Sequence, residues 1–163
     1  MSLLSYCKGW FRAKKLPLAS YTTEQARARH ESGEIYYALI GSSEAPLAFM
    51  EIVKGMVGVS FLDERLRENL IYSFQEREPG RLFLTRATWR EFIGSSDEVA
   101  NGTTYMFEPR GGVIIHSETF VPSQSRAYFE SHANLGGNWN KTPSFGQYSG
   151  LLRTCTQWFS GDP

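Results

Sequence analysis

Cysteine is nearly missing from this chain of 163 residues: its two thiols, Cys7 and Cys155, stand near opposite ends with no CxxC spacing. Two such residues build neither a disulfide framework nor a zinc site. Two free thiols are expected, with a single bridge between the termini the alternative in an oxidising compartment. Histidine is almost as scarce, and only His30, His116 and His132 titrate near neutral pH. No pair of them has the i, i+4 spacing of a zinc-binding helix or sits in a catalytic motif, so no metal, no cofactor and no catalytic residue is indicated. His116 shares strand phase with Ile114, Glu118 and Phe120, which fits a pocket wall rather than a general base. Cys7 lacks a visible histidine and acid partner scheme and reads poorly as a nucleophile.

Other absences narrow the class further. Gly102-Thr103-Thr104 and Gly111-Gly112 have no P-loop lysine and no strand-to-helix setting, so they read as turns rather than a phosphate cradle. No apolar run approaches the roughly 18 residues that span a membrane. Met1 to Cys7 has no basic n-region and no apolar run of about seven residues, which argues against a lipoprotein signal. Charge of one sign is lacking too: 17 basic side chains meet 17 acidic ones, leaving no global field to draw the protein onto nucleic acid. A reducing cytoplasm is the expected compartment, with neither nucleic acid nor membrane as a partner.

Aromatic residues are what the chain has in quantity, with eleven Phe, eight Tyr and four Trp in a composition that is 41% hydrophobic. That suffices to order a single domain over residues 1–163. Charge is balanced but uneven: residues 1–31 carry six bases against Glu24 and Glu31, whereas residues 34–122 carry thirteen acids against eight bases. The middle of the chain is its acidic part.

That middle, residues 34–121, alternates short apolar runs with turn chemistry at Ser42-Ser43, Lys54-Gly55, Glu78-Pro79-Gly80, Asn101-Gly102 and Arg110-Gly111-Gly112. Strands are predicted near 35–41, 47–53, 57–63, 69–77, 81–91, 103–108 and 112–120. The apolar phase changes between Leu84 and Ala87, which predicts a bulge near Thr85-Arg86. Residues 1–33 form a leading segment of unclear conformation and a helix from Thr23 to Glu31, because Thr22 and Gln25 have the spacing of a capping box and Gly33 a stop. Residues 122–163 read as a short helix through Tyr128, Phe129 and His132, a Gly/Asn loop carrying Trp139, Phe145 and Tyr148, and a final strand over 151–159. The fold class is therefore α+β and mainly antiparallel: a curved meander of six or seven strands, half-barrel or barrel-like, with one helix before it and a short one after. If the sheet closed, an interior lined by Tyr37, Phe49, Phe61, Tyr72 and Tyr105 would suit one apolar molecule, as in lipocalin-like proteins, or an enzyme using that cavity.

With the strands placed, Val57-Gly-Val-Ser-Phe-Leu-Asp63, Leu70-Ile-Tyr-Ser-Phe74 and Gly80-Arg-Leu-Phe-Leu84 resemble the small bacterial immunity proteins encoded beside polymorphic or contact-dependent growth-inhibition toxins. The likeness covers roughly residues 34–120 and is one of style, without a diagnostic motif. It implies a non-enzymatic inhibitor whose partner is a cognate protein toxin, often a basic nuclease blocked by an acidic surface. On the residues themselves, a partner-binding surface needs rigid aromatics ringed by polar groups. Asp63, Glu64, Asp97 and Glu98 offer acids at strand connections, and Trp139 and Tyr148 offer anchors on the glycine-rich loop.

Overall fold

The computed structural model describes residues 3–153. Its strands are β1 (Leu4–Phe11), β2 (Leu16–Tyr21), β3 (Tyr36–Gly41), β4 (Pro46–Val53), β5 (Met56–Leu62), β6 (Glu68–Glu78), β7 (Arg81–Phe92), β8 (Val99–Phe107), β9 (Gly112–Thr119), β10 (Ser125–His132) and β11 (Trp139–Lys141), with one helix, α1 (Thr23–Ser32), among the described residues. All pairings are antiparallel, in the spatial order β10-β9-β8-β7-β6-β5-β4-β3-β1-β2. β11 joins from the side, pairing residues Arg81 to Phe83 of β7, while β8 pairs Arg86 to Phe92 of the same strand. The sheet is open, with β10 and β2 as its two ends. No helix among the described residues is long and apolar enough to cross a membrane.

Strands β3 to β7 and β9 lie within about one residue of their expected places, but β8 starts at Val99 rather than near 103, so Asn101-Gly102-Thr103-Thr104, expected as a turn, is paired strand opposite Thr88 to Glu91. α1 starts on the expected capping box: the Thr22 side chain accepts from the Gln25 N–H and the Gln25 side chain accepts from the Thr22 N–H, while Gly33 closes the helix at φ 76. The bulge is also present. Ser73 opposes Arg86 and Phe74 opposes Leu84, so Thr85 is the extra residue, and its hydroxyl donates to the Ser73 carbonyl at 3.1 Å. Because of it Leu82, Leu84 and Ala87 all enter one apolar cluster.

Four expectations are corrected. Among the described residues the strands number eleven rather than six or seven, and they form an open sheet rather than a barrel. The leading segment, to which the sequence assigns no conformation, is the β1–β2 hairpin. The expected short C-terminal helix is the edge strand β10, all eight of whose residues are exposed, so neither helical nor strand periodicity is imposed on its sequence by burial. The aromatics proposed to line one cavity stand on both faces: Tyr37 and Phe49 pack with Cys7 and Trp10, whereas Phe61, Tyr72 and Tyr105 pack in the larger cluster. Leu151 closes a 3-10 turn, and most of the final strand expected over 151–159 lies outside the described residues, as does Cys155.

One row of side chains, read across the ladders, shows how the sheet is covered. It runs Tyr6, Ala38, Met50, Val59, Tyr72, Ala87, Tyr105, Ile115, Phe129. The first six are buried beneath α1, through Ala26, and beneath the returning segment that carries Phe145, Tyr148 and Leu151. Past Ala87 the cover thins: Tyr105 and Ile115 are half-buried in a smaller cluster with Val113 and Leu135, and Phe129 is 57% exposed. On the opposite face the end of β1 supplies the cover: Trp10 stacks on Phe49 at 5.6 Å, and Cys7 is buried beside Leu39, its thiol donating to the Gly9 carbonyl at 3.2 Å.

The row sets an energetic gradient. Met50→Ala should cost about 2–5 kcal/mol, as deletion of a fully buried large side chain does, whereas Phe129→Ala should stay within about 0.5 kcal/mol, as exposed substitutions do. Urea midpoints of the two variants against the parent check this.

Candidate binding face

The acidic connections that stand apart in sequence meet in space. Asp63 Oδ1 accepts from the N–H groups of Arg65 (2.9 Å) and Arg67 (3.0 Å), and its Oδ2 accepts from Arg67 Nε at 2.8 Å. Arg67 then reaches the neighbouring turn, donating from Nη1 to the Gly94 and Ser96 carbonyls at 2.9 and 2.7 Å with its guanidinium 4.5 Å from the Phe92 ring centre. Burial pushes the Asp63 carboxyl up, but these N–H donors and the Arg67 charge outweigh it and hold the group below its ordinary range. Asp63 is thus a turn-building residue.

The uneven charge of the sequence is largely cancelled within the molecule. Lys15, from the β1–β2 turn, pairs with Asp97 at 2.7 Å, and Arg12 pairs with Glu68 at 2.7 Å, where Ser60 also donates at 2.8 Å. The basic leading segment therefore lies on the acidic sheet. Glu64 and Glu98 stay exposed with no ion pair among the described residues.

The two aromatic anchors have different fates. Trp139 is half-buried in β11, 4.9 Å from the Phe83 ring with the Arg81 guanidinium 4.6 Å from its own. Tyr148 is only 2% exposed, which removes it from any docking surface. The glycine-rich segment returns over the sheet instead of projecting from it: buried Asn138 donates to the Leu84 carbonyl at 3.1 Å, and β11 pairs with β7. Three aromatics within ten residues, Trp139, Phe145 and Tyr148, were the signal that this segment had something to bury.

Tyr148 instead belongs to a locked polar cluster. Its hydroxyl lies 2.9 Å from that of Tyr36, which lies 2.9 Å from His30 Nδ1. Phe145 stacks on Tyr6 at 5.1 Å and meets His30 at 5.7 Å, with the Arg27 guanidinium 4.6 Å from its ring centre. A cleft of about 250 Å³ opens beside His30 and Tyr36, walled by Ile52, Val57, Leu82 and Pro143. Burial, then the neighbouring Tyr148, pushes Tyr6 up to about 12 and Tyr36 up further, while burial lowers His30. The Tyr6 and Tyr36 phenols keep their protons and the imidazole is neutral at pH 7, and the hydrogen bonds of the cluster pin α1 and the returning segment to β3.

The uncovered part of the sheet carries the remaining candidate. On β7 to β9 a trough of about 320 Å³ is lined by Thr88, Arg90, Val99, Gly102, Thr104, His116, Glu118 and Phe120. Gly102 keeps its floor low, since a Cβ there would sit 3.2 Å from the Trp89 carbonyl oxygen. The Thr88 and Thr104 hydroxyls are 3.1 Å apart on adjacent strands, and the next residues along that row are His116 and Tyr128. Arg90 has no ion pair among the described residues, whereas Glu118 is held by Arg126 at 2.8 Å. Phe120, Val121, Tyr128 and Phe129 are 43%, 41%, 58% and 57% exposed. The strand phase of His116, Glu118 and Phe120 found this wall; Tyr128 and Phe129 were missed as surface anchors because their segment reads as a helix. No family model, curated protein or solved structure matches the chain.

The lowered His30 value has a pH consequence. The group loses its proton more readily folded than unfolded, so its neutral form contributes stability fully above pH 6.5, the ordinary value, and that contribution is lost as pH falls from 6.5 through the lower folded value. His30→Gln should flatten this acid limb in urea midpoints collected against pH, leaving the slope above pH 7 unchanged.

Proposed function

We propose that the chain is a non-enzymatic binding protein that occludes a protein partner with the face formed by β7 to β10. The observation that carries this is the trough itself, which lies on the face opposite the Ala87 row, is rimmed by the exposed rings of Phe120 and Tyr128, and borders a strand exposed on both faces. Apolar groups exposed together and rimmed by polar ones mark interaction sites. Phe120 and Tyr128 supply rigid rings, while Thr88, Thr104 and His116 supply hydrogen-bonding groups around them.

In its narrower form, carried by the resemblance of the strand region to immunity proteins, the partner is a cognate bacterial toxin and binding neutralises it. The chemistry of the face then refines the expected complementarity. Asp63 is consumed within its own turn and Asp97 by Lys15, so acids are not the main recognition groups. Unpaired Arg90 at the trough instead suits a carboxylate or a row of backbone carbonyls on the partner.

The test is growth rescue and binding with the toxin domain encoded beside this gene. Arg90→Glu and Phe120→Ala should each weaken association by at least about 2 kcal/mol, the size of an interface hot spot, and lose rescue with melting temperatures near the parent's. Glu64→Lys and Glu98→Lys should keep it. Rescue by both trough variants, with loss on reversing Glu64 or Glu98, would move the interface to the turns; no binding by the parent would overturn the toxin reading.

A further inference from the structure

The two ends of the sheet are finished differently. β2 carries Pro17, which has no N–H to offer, and Ala19 in the left-handed region at φ 41, both of which spoil an edge as a template for further pairing. β10 carries neither a proline nor a residue of positive φ. It is the longer edge, eight residues against six, and it is exposed along its whole length.

Which of its backbone groups are free follows from the hydrogen-bond phase. Ala133 N–H donates to the Gly111 carbonyl at 2.9 Å, and Glu108 N–H donates to the Gly112 carbonyl at 2.9 Å. In an antiparallel ladder hydrogen-bonded pairs alternate with non-bonded ones. Odd residues of β9 therefore bond β10 and even residues bond β8, so Ala127, Phe129 and Ser131 face β9. Arg126, Tyr128 and Glu130 turn their N–H and C=O groups to the open edge.

We infer that β10 pairs antiparallel with β10 of a second copy of this chain, about a two-fold axis through Tyr128. In that register Tyr128 meets its own copy as a hydrogen-bonded pair, and Arg126 meets the other Glu130 twice, once on each side of the axis. All three belong to the set whose backbone groups are free. On the other face Ala127 meets the other Phe129, small against large. Shifting the axis to Ala127 or Phe129 keeps the backbone phase but destroys the charge match, placing Arg126 opposite Tyr128 or His132. The Arg126 guanidinium has capacity for the second acid, since only its Nε is spent on Glu118, at 2.8 Å. The inference goes beyond partner binding and does not rest on it: pairing uses the edge, leaves the trough open, and sets two troughs side by side on one continuous sheet.

The experiment is sedimentation equilibrium of the protein alone over a wide concentration range. The parent should show a monomer–dimer equilibrium. Arg126→Glu and Glu130→Arg each place two like-charged pairs across the axis, so each alone should dimerise at least about tenfold more weakly. Mixed in equal amounts they should form a heterodimer of parental strength, because both crossing pairs then become opposite in charge. Tyr128→Pro, which removes an N–H turned to the open edge and away from β9, should abolish the dimer, with circular dichroism confirming that the sheet is kept. A parent that stays monomeric, a mixture no stronger than its components, or a Tyr128→Pro variant that keeps its sheet and dimerises like the parent would overturn the proposal. Rescue of growth by the monomeric Glu130→Arg variant, altered outside the trough and its rim, would leave the trough reading intact, so the two readings fail separately.

Discussion

Cover is the constraint from which the other features follow. A sheet of this width has two faces to hide, and one helix with two short folded segments hides only part of them. α1 and the returning segment cover the core face from β3 to β7, joined through the hydrogen bonds of His30, Tyr36 and Tyr148. The end of β1 covers the opposite face above Leu39 and Phe49. β3, β4 and β5 have buried residues on both faces, while β8 and β9 are almost wholly half-buried and β10 is exposed. Burial of apolar surface is the main favourable term in folding, so the covered strands carry most of the stability.

Electrostatics serves that division. The basic residues of the first strands do not form a docking patch; Arg12 and Lys15 cross to Glu68 and Asp97 and tie the hairpin to turns far along the sheet. Such exposed pairs are individually worth little, at most about 1 kcal/mol, but they dispose of the charge asymmetry that otherwise suggests an acidic recognition surface. Arg67 does more, because its guanidinium bridges two turns through carbonyls as well as pairing with Asp63. Arg90, Glu64 and Glu98 take no part in these pairs.

Legibility followed the same boundary. Met50, Val59 and Tyr72 sit on strands whose alternation is imposed by a buried face, and the bulge at Thr85 could be read because Leu84 and Ala87 had to reach one core across a change of phase. The capping box at Thr22 was legible because it is local. β10 was not, since a strand exposed on both sides places no demand on the order of its side chains, and Tyr128-Phe129 suits a short helix equally well. The burial of Tyr148 was illegible for the opposite reason: its partners Tyr36 and Tyr6 are far away in the chain, and no local pattern announces them. Of the candidate site, the strand wall of His116, Glu118 and Phe120 was readable, and the rings on β10 were not.

Amide hydrogen exchange, followed strand by strand at a dilution where the protein is monomeric, tests the division most directly. The expected result is that amides of β3 to β6 exchange only through global unfolding, while those of β9 and β10 exchange through local opening and Arg126, Tyr128 and Glu130, on the open edge, exchange fastest of all. Protection that is uniform across the sheet, or amides of β10 as slow as those of β4, would contradict it.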